Sequence, residues 1–387
     1  MYGVSESAKS KGEYKLLRIT DIKNNAVDWN TVPYTDYDEH KANAYLISDG
    51  DILFARTGAT VGKSYLVKGL QDKAIYASYL IRVQTFNEIL PEYVKYFFES
   101  GFYWEQIQRD SIGIGQPNVN GTTLSQLALS IPPINEQHRI VNELGSWLNI
   151  IDVIDNGKAE LQIAIKRVKS KILDLAIHGK LVLQDPNDEP ASELLKRINP
   201  KAEITCDNPQ YGKLPKGWCE TYLGELFNHN TGKALNSSNT EGTMRDYLTT
   251  SNVYWNTFDF SVVKKMLFKD NELEKCSVTK GDLLVCEGGD IGRAAIWNLN
   301  YDICIQNHIH RLRPKVNLCV PFYYYTLYYL KVKNMIGGKG IGLLGLSSNA
   351  LHKIHCPLPP LSEQHRIVTK IEELFAQLDK IESSLQA

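Results

Sequence analysis

Two stretches decide how this chain is read: Pro132–Val141, PPINEQHRIV, and Pro359–Val368, PPLSEQHRIV. Eight of the ten positions are identical across an offset of 227 residues. A polar, charged decapeptide written twice, each time ahead of an apolar helical period, marks repetition, and an interval this long means a duplicated domain rather than a solenoid unit.

The surrounding sequence repeats in the same order, at offsets of 227 to 231 residues. ISDGDILFARTGATVGKSYLV (Ile47–Val67) parallels VTKGDLLVCEGGDIGRAAIW (Val278–Trp297), LLRITDI (Leu16–Ile22) parallels YLTTSNV (Tyr247–Val253), and LPEYVKYFF (Leu90–Phe98) parallels VPFYYYTLYY (Val320–Tyr329). The second half opens with LPKGWCETYLGELF (Leu214–Phe227), whose counterpart would fall before Met1, so the first half is expected to lack that opening segment. Brief apolar runs after Gly-Asp (GDILFAR, GDLLVCE) and the near-alternation of RVQTF and HIHRLRP predict short strands. Pro91–Gln108 has helical spacing with Pro at the first turn. Each half is therefore an α+β globule.

Beyond each decapeptide the period changes. Ile140, Leu144, Trp147, Ile151 and Ile154 step by four and three, and the phase continues through Leu161, Ile165, Val168, Ile172 and Leu175. Ile367, Ile371, Leu374, Leu378, Ile381 and Leu385 repeat it. Such a seam is a coiled-coil signature, and it predicts a first helix from Glu136 to His178, with Asn156-Gly157 as a weak point, pairing with the second. The second helix is about half as long as the first. It is expected to leave part of the seam, around Ile165 and Ile172, for partners to cover. Between the halves, Pro186, Pro190, Pro200 and Pro209 mark a linker with one short helix, SELLKRI, capped by Ser192.

At the decapeptide itself, Asn135 or Ser362 is placed to cap the helix, and Glu136 or Glu363 falls in its first turn, where the helix dipole favours a carboxylate. That junction does not require Gln-His-Arg. Gln137, His138, Arg139, Gln364, His365 and Arg366 are accordingly candidate exposed partner contacts.

Composition bounds the function. Hydrophobic residues are 43% and charged residues 22% of 387, as in soluble proteins generally, and no apolar run reaches membrane-spanning length or forms a signal-peptide core. All seven cysteines lie at or beyond Cys206 without a C-x-x-C pair, which suits reduced thiols in a cytoplasm. With 43 basic against 44 acidic residues, any nucleic-acid contact must rest on local patches or on a partner's charge.

GATVGKS (Gly58–Ser64) has three residues between its glycines where a phosphate-binding P-loop has four, and its parallel GGDIGRA lacks Lys-Ser, so nucleotide binding is rejected. What survives is a Gly-rich turn, either a plain hairpin or one that brings backbone to another molecule, with Arg56, Lys63 and Arg293 as phosphate contacts. His308 and His310 in QNHIHR would share a strand face, but without a ligand set a structural or DNA-facing strand is favoured over a metal site. SIGIGQPNVNG (Ser111–Gly121) and IGGKGIGLLGLSSN (Ile336–Asn349) are equivalent Gly-rich loops, either mobile surface loops or loops suited to a groove, where Asn and Gln pair with adenine and Lys reaches guanine. Candidate DNA contacts are Arg56, Thr57, Lys63, Gln116, Asn118, Asn252, Arg293, Asn307, Lys339 and Asn349. No base-methylation, serine-hydrolase, zinc-protease or nuclease motif stands in a convincing setting.

Together, LPKGW…LGELF, the two Gly-Asp-φ-Leu…Gly…Gly strand–turns, the doubled PP-x-x-EQHRIV with its heptad helix, and AIHGKLVLQDPNDEPASELLKRI (Ala176–Ile198) resemble the specificity (S) subunit of Type I restriction–modification systems over nearly the whole chain. The resemblance implies an α+β fold of two similar target-recognition domains joined by long coiled-coil helices, an internal duplication with pseudo-two-fold character. Its boundaries would be 1–134 for the first recognition domain, 135–180 for the central helix, 181–213 for the linker, 214–361 for the second recognition domain and 362–387 for the distal helix. It also implies a non-catalytic chain without metal or cofactor that reads a bipartite, asymmetric site on double-stranded DNA. S-adenosylmethionine would reside in adenine methyltransferase (M) subunits, and ATP and Mg in motor-nuclease (R) subunits. The competing readings are a truncated subunit acting only as an interaction scaffold, and an enzyme whose motifs go unrecognised.

Overall fold

The computed structural model describes residues 1–23, 25–57, 61–110, 119–202, 204–205, 207–208, 212–236, 240–336 and 345–385. The chain divides into two compact units, Met1–Asn156 and Gly157–Ala387.

In the first unit, β1 (Tyr14–Leu17) lies between β2 (Tyr34–Thr35) and β5 (Ala74–Tyr76), antiparallel to one and parallel to the other. A second sheet is an antiparallel triplet of β3 (Ile52–Ala55) between β4 (Ser64–Leu66) and β6 (Leu80–Val83). Four helices follow: α1 (Pro91–Phe97), α2 (Gly101–Asp110), α3 (Gly121–Ser125) and α4 (Ile134–Ile177), the last continuing into the second unit. The stretch expected as one helical segment from Pro91 is two helices. The Ser100 hydroxyl donates to the Phe97 carbonyl at 2.7 Å and accepts from the Tyr103 N–H at 3.2 Å, so it closes one helix and opens the next.

The second unit repeats this plan with longer strands. After α5 (Ala191–Ile198) come β7 (Cys219–Tyr222), β8 (Phe227–Thr231), β9 (Thr243–Leu248), β10 (Lys264–Phe268), β11 (Ser277–Val278), β12 (Leu283–Cys286), β13 (Ala294–Ile296), β14 (Ile303–Ile305) and β15 (Ile309–Pro314). The unit ends with α6 (Val320–Val332), α7 (Ser348–His352), β16 (His355–Leu358) and α8 (Leu361–Ser384). The duplication holds at the level of register. Leu17 pairs in parallel with Tyr76, as Leu248 does with Ile305. Ala55 faces Leu80 and Phe54 faces Ser64, just as Cys286 faces Ile309 and Val285 faces Ala294. Both copies bury all four residues of the central strand, which explains their uninterrupted apolar runs.

The repeated decapeptide is the joint between each globule and its helix, and its glutamine makes the joint. Gln137 is fully buried. Its amide oxygen accepts from the Leu90 N–H at 2.9 Å, and its amide nitrogen donates to the Glu88 and Pro132 carbonyls at 3.0 and 2.9 Å. Gln364, also fully buried, accepts from the Cys319 N–H at 3.2 Å and donates to the Pro359 carbonyl at 2.9 Å. Leu90 and Cys319 are the residues at which α1 and α6 begin. Each glutamine therefore satisfies an N–H that a helix start leaves orphaned. The expectation of exposed partner-facing glutamines is corrected: an amide that donates and accepts at once is what this buried corner needs.

Three capping expectations are corrected as well. α4 and α8 start at Ile134 and Leu361, one residue before Asn135 and Ser362, because the Pro133 and Pro360 carbonyls already accept from the Gln137 and Gln364 N–H groups at 3.1 and 2.9 Å. Ser192 lies inside α5, whose N-cap is Pro190. In the second copy Glu363 is only 1% exposed and accepts from the Trp218 indole N–H at 2.9 Å, so LPKGW is bound to EQHR. β7 and β16 pair from Cys219↔Leu358 to Tyr222↔His355 beside it. Burial raises the Glu363 carboxyl pKa. In the first copy Glu136 is half-buried and pairs with Arg139.

α4 runs for 44 residues without interruption across Asn156-Gly157, about 66 Å at ~1.5 Å per residue. Its last third packs with α8 and α6 in the core of the second unit, and Lys169 reaches Asp379 at 2.6 Å and Glu382 at 3.1 Å. Ile165 and Ile172 are thus buried, at 2% and 7% exposure, contrary to expectation. The apolar stripe left open lies nearer the helix start, at Leu144, Trp147, Ile151, Ile154 and Leu161.

Gln364→Ala leaves the Cys319 N–H and Pro359 carbonyl unpaired in a buried corner and is expected to destabilise the protein by about 1–3 kcal/mol. Gln364→Glu fares no better, since a carboxylate cannot donate. His365→Ala, on the exposed side of the same turn, should stay within about 0.5 kcal/mol. Denaturant unfolding of the three variants measures the difference.

Candidate nucleic-acid interface

At one end of each globule the strand after Gly-Asp, its hairpin and the Gly-rich loop converge by the same backbone bonds. In the first domain the Arg56 N–H donates to the Tyr79 carbonyl (3.1 Å), and the Arg56 carbonyl accepts from the Val119 N–H (3.0 Å). In the second, Glu287 donates to His308 (3.0 Å) and accepts from Leu346 (2.7 Å). The end of each Gly-rich loop is thereby tied to the end of the central strand. A short helix follows, capped by Asn120 in one copy and Ser347 in the other. The hairpins are closed alike, Ala55 with Gly62 and Lys63, and Cys286 with Gly292 and Arg293. Gly62 and Gly292 have φ of +87° and +78°, and a Cβ on either would lie 2.8 Å from a side chain packed over it, Trp104 or Ile336. Glycine is required at both positions by conformation and by space.

On this shared backbone the side chains differ. The Arg56 guanidinium lies 4.7 Å from the ring centre of Tyr2, and that of Arg293 lies 4.7 Å from the ring centre of Tyr254. Among the described residues neither Nε has a hydrogen-bond partner, although Arg293 also donates to the Thr250 carbonyl. Each guanidinium is held over an exposed tyrosine ring by a cation–π contact, with its Nε buried. Lys63 is exposed, Thr57 and Asn307 are half-buried, and Asn349 is exposed on α7. Gln116, Asn118 and Lys339 lie outside the described residues.

Asn252 is corrected. It is 3% exposed, its oxygen accepts from the Thr249 N–H and hydroxyl at 2.8 and 2.9 Å, and its nitrogen donates to the Asp259 and Val262 carbonyls at 2.9 Å each. Its amide is spent on shaping the turn. The T-x-x-N spacing of a capping turn was the available signal, and Arg18 and Asp21 make the equivalent turn in the first domain. Arg366 is likewise committed, in an ion pair with Asp188 at 2.6 Å. His138, Arg139 and His365 are exposed.

Sequence reasoning missed Tyr2, Tyr79 and Tyr254, exposed by 42%, 61% and 42%, and Glu287, whose carboxylate can accept from a cytosine amino group. Tyr79 and His308 occupy equivalent places, which the strand alignment could have revealed. His308 and His310 do not share a strand face. His308 sits in the turn before β15, 3.0 Å from Glu287, while His310 is buried, 2.9 Å from His229 and 2.7 Å from the Leu346 carbonyl. Bonding to Leu346 makes His310 Nε2 a donor, so its Nδ1 accepts from His229. Burial, reinforced by His310, His352 and Arg311, pulls the His229 pKa down to about 4. No group of His, Cys, Asp and Glu among the described residues could hold a metal ion, and no described helix is long and apolar enough to cross a membrane.

Duplicated strand ends carrying paired cationic and aromatic side chains, tied to the ends of Gly-rich segments, have the chemistry of a nucleic-acid-binding surface. The model of the Type I restriction modification DNA specificity domain matches residues 4–162 and 215–387. The chain belongs to that family, the non-catalytic DNA specificity subunits of Type I restriction–modification systems, which carry no cofactor themselves. It is 23% identical to the Type I restriction enzyme EcoBI specificity subunit of Escherichia coli, over 98% of this chain and 77% of that one. It is 24% identical to a putative MjaX specificity subunit of Methanocaldococcus jannaschii, over 95% and 81%. Among solved structures it shares the fold of a chain from work on complex assembly and conformational transition of the type I R-M system (TM-score 0.68, 19% identity, 100% of this chain and 90% of that chain). The HsdS subunit from Thermoanaerobacter tengcongensis is also similar (TM-score 0.55, 19% identity, 99% and 91%).

Two measurements follow. Lys63→Ala should leave unfolding unchanged while lowering DNA affinity and reducing the salt slope by about one, whereas Asn252→Ala should destabilise the fold by about 1–3 kcal/mol. Because the folded pKa of His229 is depressed, the unfolded chain binds more protons between about pH 6.5 and 4. Stability contributed above pH 6.5 is lost as pH falls through that window, and His229→Gln should flatten the decline in urea melts.

Proposed function

We propose that this chain reads an asymmetric, bipartite site on double-stranded DNA, one half per domain, and docks adenine methyltransferase and motor-nuclease subunits that supply methylation and cleavage. The observation that carries the reading is the register-level duplication with unlike side chains at equivalent anchors: Arg56 against Glu287, Tyr79 against His308, Lys63 against Arg293. Two copies of one chain would present identical readers and a palindromic site; two diverged copies in one chain present different readers. The exposed stripe from Leu144 to Leu161 supports docking, because apolar side chains of this size along one long helix are the kind of surface a subunit interface covers. The S-adenosylmethionine, ATP and Mg of the assembled enzyme belong to those partners in this reading, as does much of the phosphate attraction that a chain of net charge −1 does not itself supply. Cys276, Cys286, Cys304, Cys319 and Cys356 are free and buried, which suits work in the cytoplasm.

Co-expression with the cognate adenine methyltransferase, followed by methylome sequencing, tests the proposal. A split, non-palindromic methylated motif is expected, and exchanging Ile336–Asn349 for a relative's loop should alter one half of it alone. Assembly without any new motif would leave the chain an interaction scaffold, and modification by the purified chain alone would make it an enzyme. Trp147→Glu with Ile151→Glu should weaken co-purification of the methyltransferase at least tenfold while the melting temperature holds.

A further inference from the structure

The two domains share a backbone but not a corner of it. In the second domain that corner is full: Trp255, in the hairpin after β9, packs against Tyr328 and Tyr324 of α6 with ring centres 4.9 and 6.1 Å apart. In the first domain the residue at the aligned sequence position is Asn24, which lies outside the described residues, and aligning α1 with α6 on their prolines sets Val94 and Phe98 where Tyr324 and Tyr328 stand. The hairpins keep the same left-handed asparagine, Asn25 at φ 59° and Asn256 at φ 53°. Here the first domain has a cleft of about 430 Å³, lined by Phe98, Trp104, Asn25, Ser64, Lys95 and Glu99 with Ile22 at its wall. That volume is in the range of small-molecule sites.

The lining is built rather than residual. Ser64 is 4% exposed, and its hydroxyl has no hydrogen-bond partner among the described residues; at the same register position the second domain carries Ala294, which needs none. Lys95, 8% exposed, lies 2.7 Å from Glu99, whose same oxygen accepts from the Asn25 amide at 2.7 Å. The aligned residues in the second domain are Tyr325 and Tyr329. Trp104 is fixed over Gly62 by the hairpin, and the adjacent Tyr103 hydroxyl donates to the Gly62 carbonyl at 2.6 Å. A buried hydroxyl and a buried ammonium are costly to keep, and the second copy shows that this fold does not require them. Lys63 also lines the cleft, so it opens beside the hairpin that presents the candidate phosphate contacts.

We propose that this cleft of the first domain holds an unstacked nucleobase, its faces against Phe98 and Trp104 and its edge against Glu99, Lys95 and Ser64. Aromatic faces accept any base, while the polar groups choose among them. The free oxygen of Glu99 accepts from an exocyclic amino group, and Lys95 and Ser64 donate to a carbonyl. Cytosine and guanine carry both features, and thymine has no exocyclic amino group. The base is supplied by bound DNA, one nucleotide turned out of the stack, or by a free nucleotide. The DNA source rests on the reading proposed above.

The experiment uses the full chain assembled with its methyltransferase partner and the duplex identified by methylome sequencing. 2-Aminopurine or pyrrolo-cytosine is placed in turn at every position of each half-site. A severalfold rise in fluorescence at one position of the first domain's half-site is expected. Ile22→Trp, which fills the cleft from its wall, should abolish the rise, and Ser64→Ala should weaken binding about 3- to 10-fold; melting temperatures confirm that both variants fold. In a second arm, cytidine and guanosine monophosphates are titrated calorimetrically without DNA, and binding that Ile22→Trp removes assigns the cleft to a free nucleotide. Tight duplex binding with no rise at any position, unchanged affinity in both variants and no nucleotide heat overturns the cleft while leaving DNA reading intact. If the duplex itself is not bound, the reading of DNA fails and the nucleotide arm alone decides the cleft.

Discussion

The structure depends on one buried amide used twice. A glutamine at the fourth position of a helix reaches back to the globule that precedes it, accepting from the backbone at the start of another helix and donating to the carbonyls around it. Hydrogen bonds of this kind contribute little net energy when made and cost heavily when broken in a buried setting, so their effect is directional. They fix where the long helix leaves the domain, because any other exit angle strands several polar groups at once. Gln137 and Gln364 do this with the same donors and acceptors in kind, one against Leu90 and the other against Cys319.

That constraint explains why the decapeptide is conserved between the two halves of one chain while the neighbouring loops are not. The joint is the same in both copies, while the side chains around the loops differ. Backbone bonds at Arg56 and Glu287 are interchangeable, since an N–H and a carbonyl belong to every non-proline residue, so the anchor survives replacement of the side chain. The duplicated fold separates what holds the loop from what the loop presents.

Much of this was legible in the sequence. Offset and order gave the duplication, uninterrupted apolar runs marked the central strands, and the four-three step placed both long helices. What failed shares a physical cause. Gln137, Gln364 and Asn252 are polar residues in polar surroundings, and composition alone reads such residues as exposed; only the fold shows that the groups they satisfy lie hundreds of atoms away along the chain or just behind a turn. The helix starts moved by one residue because the proline carbonyls had already taken the role assigned to a side-chain cap. Which part of the helical seam stays open was misread because a heptad pattern identifies an apolar face without saying which stretch of it a shorter helix will cover. Tyr2 and Tyr254 were invisible for a different reason, since each meets its arginine only through tertiary packing.

The two copies also serve as controls for each other. Where they agree, as at Gly62 and Gly292, the residue answers to the backbone. Where they disagree at a buried position, the fold has shown that it tolerates either solution, and the more expensive one needs a reason outside folding. The corner filled by Trp255 and left open beside Ser64 and Lys95 is such a place: the same left-handed asparagine, and a packed aromatic cluster on one side against a buried hydroxyl without a partner among the described residues and a buried lysine paired with an exposed glutamate on the other. Drift toward stability would close that cleft with apolar side chains already proven in the sister domain. That it stands open, next to the hairpin that carries Lys63, is the difference on which the proposed base-binding cleft rests.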